Sequence, residues 1–586
     1  MAMATCFGSP VARAQSRSSI LARNVRCCAT PGQTTSRRSA NYQPNSWDYN
    51  SLESLKTDHL SESQVNYETV KQEVKQLIQK ETEPAKMLRL VDAIQRLGVA
   101  YHFDGEVKEV LGSISKSESA FKDDVLSMSL HFRLLRENGF SVSQDMFNNF
   151  LDNGTFKPVL QKDTKGLLSL YEASFLAFEG EELLDKARVF SSKHLTETKP
   201  ALSPYLKGKV DHTLELPLHW RAPRLEARWS IDQYERDDAF EPKLLQLAKL
   251  DFDRVQAVHQ GEIGRMSRWW RDAALGEKLT FARDRLIECF FYATGIVFEP
   301  HLSACRGIVT KVFSLIVHLD DVYDIYGTYE ELVLFTDAMG KWSLDAMQEL
   351  PEYMRPIYAT ILDTTNEWSQ HVLKVDGWDP LPWLKTAWHD LCKAFLTEAK
   401  WHFGSTIPSL NDYIENGWMS SSGPLMLHHT FTLLGEKATA QALAKQENYP
   451  SIVRTCSMIF RLCNDSATHS AELERGDAPS SIACYMRENG VNEYEARLAM
   501  HNMTIDVWKK INMDAFGTKP FPRSFADASM NLARISHCIY QGGDGLGAPD
   551  EEKKKLIKKL FLEPAGVNDD KAFSKEGAFA KSLESS

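Results

Sequence analysis

From about residue 60 to residue 560 the apolar residues recur at three- and four-residue steps, with no sustained run of alternating β-branched residues. Met87, Leu90, Val91, Ile94 and Leu97 mark one such face, and Gly98 stands where a helix would stop. Leu168, Tyr171, Phe175 and Phe178 mark another before Gly180. A chain with this rhythm folds as all-α. No fixed-length repeat accompanies it, so irregular helical domains are expected rather than a solenoid. At 586 residues the chain exceeds the ~250–300 at which one core stops growing, which predicts two large domains. Pro217 and Pro223 interrupt the rhythm, and a boundary is expected between about residues 230 and 260.

The ends of the chain differ from its body. Six arginines, no lysine and no acidic residue precede Asp48, among many Ser, Thr and Ala. That composition is an organelle transit peptide without the apolar core of a secretory signal; a disordered basic tail is the other reading. Three of the ten cysteines lie in this segment and the other seven have no CxxC spacing, which predicts reduced thiols rather than disulfides or a zinc site. The net charge of −11 argues against nucleic acid as a partner. The longest nearly apolar stretch, Gly307 to Leu319, contains Lys311 and His318 and is shorter than the ~20 residues a bilayer needs, so no membrane span is expected.

Chemistry concentrates in two segments. Phe313 to Thr328 (FSLIVHLDDVYDIYGT) delivers Asp320, Asp321 and Asp324 from an apolar helical run. Asp320 and Asp324, four apart, would share a helix face about 6 Å from each other. Carboxylates so close need a counter-charge, and hard divalent ions such as Mg²⁺ supply one while keeping coordination positions open for phosphate. An isolated cluster of this kind is as often a solvated helix end. The second segment, Ile459 to Glu472 (IFRLCNDSATHSAE), puts Asn464, Thr468 and Glu472 at i, i+4 and i+8, a polar stripe that is common when it stands alone. Two oxygen-bearing stripes in one region suggest the facing walls of a cavity that binds a metal cluster.

DDVYD and NDSATHSAE resemble the aspartate-rich and NSE/DTE motifs of class I terpene synthases. Arg37, Arg38 and Trp47 form RRx8W, which resembles the tandem-arginine motif of plant plastidial monoterpene and hemiterpene synthases. RRSANYQPNSWDY, RLEARW at Arg224 to Trp229 and Arg283-Asp284-Arg285 match as well, so the resemblance runs from Arg37 to about Pro564. It implies a transit peptide at 1–36, an N-terminal α-barrel without its own active site at 37–245, a catalytic α-bundle at 246–565 and a mobile tail at 566–586. Carried onto this chain, Asp320 and Asp324, with Asp321 supporting, would hold two Mg²⁺ ions, and Asn464, Thr468 and Glu472 a third, with Mn²⁺ as the alternative metal. Arg283, Arg285 and Arg461 would bind diphosphate, for which the planar guanidinium fork is suited. Arg37, Arg38 and Trp47 would form a strap over the site.

Substrate length then depends on the pocket floor. Phe313 lies two helical turns, ~10 Å, below Asp320, and Phe460 one turn below Asn464, so two rings on opposing walls would shorten the cavity. Phe at both positions and Ser421 resemble the isoprene-forming members, although plain core packing accounts for Phe313 equally simply. Tyr292 stands where Trp is common in the family, and Ser480 departs from its Asn or Lys. His318 beside the aspartates reads as a packing histidine. The implied function is a Mg²⁺-dependent lyase of the plastid stroma that ionises dimethylallyl diphosphate and removes a proton to give isoprene. Diphosphate itself or Tyr540 would accept that proton, under a loop at Gly542 to Gly547 that closes over the site. The alternative is an acyclic monoterpene synthase making ocimene, myrcene or linalool from geranyl diphosphate. A remote alternative is a non-catalytic helical scaffold, which predicts broken metal motifs, whereas all six positions are intact. The expected partner is the small allylic diphosphate alone, with the chain a monomer or homodimer.

Overall fold

The computed structural model describes residues 37–55, 64–435, 437–446, 448–477 and 479–565. The expected transit peptide and tail lie outside these residues. The described chain is helical nearly throughout, as its periodicity predicts. Among the described residues the one hairpin pairs Leu151 with Phe156 and Asp152 with Thr155. Residues 39–586 cluster as one unit, with the chain up to Arg38 as another.

The helix Pro84–Arg96 stops before Gly98, which takes φ +75°, as predicted. The helix Thr164–Ser174 ends earlier than the apolar spacing suggests, leaving Phe175 and Phe178 beyond it. Tertiary bonding accounts for the difference. The buried amide of Asn512 donates to the carbonyls of Phe175 (2.9 Å) and Ala177 (3.0 Å), acceptors that a continuing helix would have used itself. The helix Pro242–Ala273 runs unbroken through the boundary expected at 245 and 246.

Two helices position the site. The aspartate helix, Ser303–Asp321, packs against Leu286–Ile296, Arg355–Asp376 and Gly423–Phe431. The stripe helix, Ser451–Arg475, packs against Leu410–Ser420, Glu493–Phe516 and Arg523–Tyr540. Leu286–Ile296 meets Arg523–Tyr540 so closely that a Cβ at Gly295 would collide with Ile535. The longer run Pro300–Tyr326 has the length and apolar composition to cross a membrane, which the shorter stretch noted in the sequence did not reveal. Of its apolar window, 72% is buried in the protein, and the run carries the aspartates.

A buried ion pair sets the start of the aspartate helix. Arg306 donates through Nε and Nη2 to Glu262 on Pro242–Ala273, at 2.6 and 2.7 Å, and through Nη1 to the carbonyl of Val297 at 2.9 Å. Both side chains are buried. Removing one partner leaves the other charge stranded, whereas removing both replaces a desolvated pair with apolar contact. Arg306→Met should therefore lower stability by about 3–5 kcal/mol, and Arg306→Met with Glu262→Leu should regain most of that loss. Denaturant unfolding followed by circular dichroism reads both effects.

Candidate active site

A cavity of about 210 Å³ opens between the aspartate helix and the stripe helix. Phe313, Ile316, Val317, Asp320 and Asp324 line one wall; Phe460, Arg461, Asn464, Thr468 and Glu472 line the other. The two stripes singled out in the sequence thus face each other. Their local geometry differs from the expectation at one point. The α-helix ends at Asp321 and widens into a π-turn over Val322–Tyr326, closed by the Gly327 N–H donating to the Val322 carbonyl at 2.8 Å. Asp324 therefore reaches the cavity from a wider turn rather than from a regular i, i+4 step.

Asp321 has a different position from its neighbours. It is fully buried and accepts bonds from the Arg283 backbone N–H (2.7 Å) and Nε (3.2 Å), while Arg283 Nη2 reaches Asp320 at 2.5 Å. Its carboxylate braces the arginine, and it is not among the cavity-lining residues. Arg461 is held on the opposite wall by the Gly417 carbonyl (3.3 Å), Asn464 Oδ1 (3.3 Å) and Ser420 Oγ (2.9 Å). Glu398, which the sequence reading missed, lines the same cavity, accepts from Ser420 Oγ at 2.5 Å and lies 3.7 Å from Arg461. Asp465, inside the second motif, turns away to accept from Tyr413 Oη and the Ser481 N–H, both at 2.8 Å.

Burial raises the carboxyl groups of Asp320, Asp324 and Glu398 above their ordinary range, and Asp320, Glu398, Asp477 and Glu472 add to the effect on Asp324. Burial, with Asp465 nearby, pushes Glu472 up to about 8. Six carboxyl groups line the cavity against the three guanidinium groups of Arg283, Arg461 and Arg475, and burial holds several of those carboxyls in reserve as protonated groups that a hard divalent cation would deprotonate and ligate. Among the described residues no three His, Cys, Asp or Glu side chains close around one point. An ion here would take carboxylate oxygens from one wall and amide, hydroxyl and carboxylate oxygens from the other, completed by oxygens of its ligand. A cavity of about 280 Å³ in the N-terminal half lacks this excess, since Arg96 meets Asp92 and Lys209 meets Asp237 in its walls.

The floor is aromatic. Phe313 and Phe460 lie 6.4 Å apart, centroid to centroid, and Tyr292 packs on both, at 4.8 and 5.3 Å. Tyr292 backs these rings rather than lining the cavity, and its hydroxyl bonds Ser536. Phe395 and Tyr413 complete the lining, and the sequence offered no signal for either beyond an apolar helix face. Ser421 lines the cavity with its hydroxyl on the Trp418 carbonyl at 2.8 Å. Ser480 bonds His469 at 2.7 Å and caps Ser481–Asn489. His318 is buried beside Trp270, and desolvation lowers it to about 4, so it packs as a neutral ring.

Residues 42–49 and 540–547 form the rim. Tyr42 lines the cavity with its ring 4.7 Å from the Arg283 guanidinium. Trp47 donates to Glu288 at 2.8 Å and Tyr49 to Asp284 at 2.5 Å. Arg285 does not line the cavity: its guanidinium donates to the carbonyls of Gln43 (2.8 Å) and Gly547 (3.0 Å), clasping the N-terminal segment to the C-terminal loop. Tyr540, Asp544 and Gly547 line the cavity from that loop and the helix before it. Arg37 and Arg38 belong to the separate N-terminal unit.

Residues 271–510 match the model of the terpene synthase family metal binding domain, and residues 46–214 that of the terpene synthase N-terminal domain. The alpha-thujene synthase TPS3 of Litsea cubeba, named chloroplastic, is 47% identical over 92% of this chain and 94% of its own. The crystal structure of limonene synthase with 2-fluorolinalyl diphosphate superposes with a TM-score of 0.87 at 38% identity, over 90% of this chain and 100% of that one. Isoprene synthase from grey poplar, in complex with three Mg²⁺ ions and dimethylallyl-S-thiolodiphosphate, gives 0.82 at 43% identity, over 89% and 99%.

The raised Glu472 has a measurable consequence in the metal-free chain. Folded, it keeps its proton up to about pH 8; unfolded, it loses it near 4.5. Between those values the folded state binds more protons, so its contribution to stability falls as pH rises through the window. With chelator present, the Glu472 contribution should lower the melting temperature as pH rises from about 4.5 to about 8, and the fall should be less steep in Glu472→Gln. Added Mg²⁺ should raise the melting temperature of the unmodified chain more than that of the variant.

Proposed function

The chain belongs to the terpene synthase family, and on that premise we propose that it is an isoprene-forming member acting in the plastid stroma on dimethylallyl diphosphate with three Mg²⁺ ions. The observation that carries this reading is the aromatic floor of a small cavity. Phe313 and Phe460, backed by Tyr292, close a cavity of about 210 Å³, below the ~300–1,000 Å³ usual for ligand pockets. The likeness to a poplar isoprene synthase supports it.

Asp320, Asp324, Asn464, Thr468 and Glu472 are the proposed metal ligands, with Asp321 holding Arg283 in place. Bound Mg²⁺ would neutralise the charge that builds on the departing diphosphate. Arg283 and Arg461 would donate charge-assisted hydrogen bonds to the same oxygens, strengthening as the C–O bond breaks. The five-carbon cation left behind would lie against the faces of Phe313, Phe460 and Phe395, whose rings stabilise positive charge and exclude water. Loss of a methyl proton then gives the diene. Burial raises the Tyr540 hydroxyl well above the ordinary phenol value, so it stays a neutral phenol and a weak base. The released diphosphate is therefore the proposed proton acceptor, and Tyr540 a wall. Arg285, with Trp47, would keep both chain ends over the site.

The second reading, a monoterpene synthase acting on geranyl diphosphate, draws on the likeness to limonene and alpha-thujene synthases. Headspace gas chromatography of the chain from Arg37 onward, given each diphosphate separately with Mg²⁺, decides between them. Isoprene from the five-carbon substrate is the expected product; monoterpenes from geranyl diphosphate alone would overturn the assignment. Asp320→Asn should lower turnover about 10²-fold or more while leaving the fold intact by circular dichroism. Phe313→Ala should deepen the pocket and raise the ratio of ten-carbon to five-carbon turnover about tenfold or more; an unchanged ratio refutes the floor argument.

A further inference from the structure

A second cavity, of about 390 Å³, lies behind the stripe helix. Leu462, Cys463 and Ser466 line it, whereas Arg461, Asn464 and Thr468 of the same helix line the active cavity. The helix Arg523–Tyr540 is shared in the same way, with His537 facing the second cavity and Tyr540 the first. The opposite walls come from the N-terminal half, through Phe175, Arg188, Leu216 and Trp220, and from Glu493–Phe516, through Arg497 and Met500.

Trp220 is 4% exposed, and its indole N–H has no acceptor among the described residues. Its neighbour Trp508 is satisfied, donating to His537 at 3.0 Å. Trp220 stacks on His537 at 4.7 Å with 8° between the planes, so its donor is held in a fixed orientation. Two cations line the cavity, one from the N-terminal half and one from Glu493–Phe516. Arg188 meets Asp185 at 3.2 Å and Arg497 meets Glu493 at 2.7 Å, and neither carboxylate lines the cavity. Glu215, the one lining carboxylate among the described residues, lies 3.7 Å from Arg221. His501 and His537 are kept neutral by burial. The cavity therefore combines two guanidinium groups whose paired carboxylates lie outside the lining, Arg497 also donating to the Ser466 carbonyl at 2.7 Å, with an unused buried donor and a partly apolar lining.

We propose that this cavity binds a small amphiphilic anion, whose phosphate or carboxylate head meets Arg188 and Arg497 and whose apolar chain lies along Leu216, Trp220 and Met500. It has nearly twice the volume of the active cavity, room for a longer chain than that site takes. The orphaned Trp220 N–H would donate to an oxygen of the bound molecule.

Calorimetric titration of decyl phosphate and, separately, decanoate into the full chain with EDTA, which withholds metal from the active cavity, tests the proposal. One equivalent should bind, quenching tryptophan fluorescence. Arg188→Gln with Arg497→Gln should weaken binding about tenfold or more, and Asp320→Asn should leave it unchanged. Trp220→Phe, which keeps the stacked ring and removes only the donor, should weaken binding several-fold and guards against misfolding of the double variant. Binding of the phosphate alone would assign the site to phosphate heads, and binding of both probes to either head. No binding of either probe, equal affinity in the arginine variants, or loss of binding in Asp320→Asn would overturn the proposal.

Discussion

Carboxyl groups held face to face across one buried cavity are the constraint around which this molecule is arranged. Asp320, Asp324, Glu398 and Glu472 share one space of about 210 Å³, and burial raises each carboxyl group above its ordinary range. Such an arrangement persists only if the helices bearing it are fixed by contacts elsewhere. The Arg306–Glu262 pair anchors the aspartate helix at its far end, and Asp321 and Asp320 together hold Arg283 at the near end. The stripe helix is braced by Asp465, which ties it to Tyr413 and Ser481. Oxygen-bearing groups arranged in this way are the kind that hard cations take, which is what the proposed function requires of them.

Beneath the charges the chemistry changes over a few ångströms. Phe313, Phe460 and Tyr292 form a contiguous aromatic floor, so the cavity has a polar mouth and an apolar end. At the mouth, the first turn of Leu286–Ile296 and the residues just before it collect three segments distant in sequence. Asp284 takes Tyr49, Glu288 takes Trp47, and Arg285 takes the carbonyls of Gln43 and Gly547. Residues 43–49 and Gly547 are thereby held beside the same opening.

Much of this was legible in the chain itself because the signals are local. Asp320 and Asp324, and Asn464, Thr468 and Glu472, stand at spacings that any helix would bring to one face, and the apolar runs before them mark those helices as buried. Phe313 and Phe460 were readable for the same reason, being whole turns away from the ligand positions. Arg285 was less readable. Its motif pairs it with Arg283, yet its donors go to backbone carbonyls of both chain ends, a role that depends on where those ends pass. Tyr42, Phe395, Glu398 and Tyr413 reach the cavity from three separate segments, and nothing in their local sequence sets them apart from neighbours that face elsewhere.

By itself the sequence determined the all-α fold, the two oxygen-bearing stripes, the aromatic positions a fixed number of turns below them and the family to which these belong. The stripes and the aromatic positions are a matter of periodicity within one helix, where 3.6 residues per turn convert spacing into direction, and the family was carried by the resemblance of whole motifs. Tertiary structure alone decided that the stripes face each other, that a π-turn carries Asp324, that Asp321 turns inward to hold an arginine and that the N-terminal half closes a second cavity behind the stripe helix. These depend on how helices distant in sequence pack. That packing is set by burial of whole apolar faces and by single buried bonds such as Arg306 to Glu262, which no local pattern encodes.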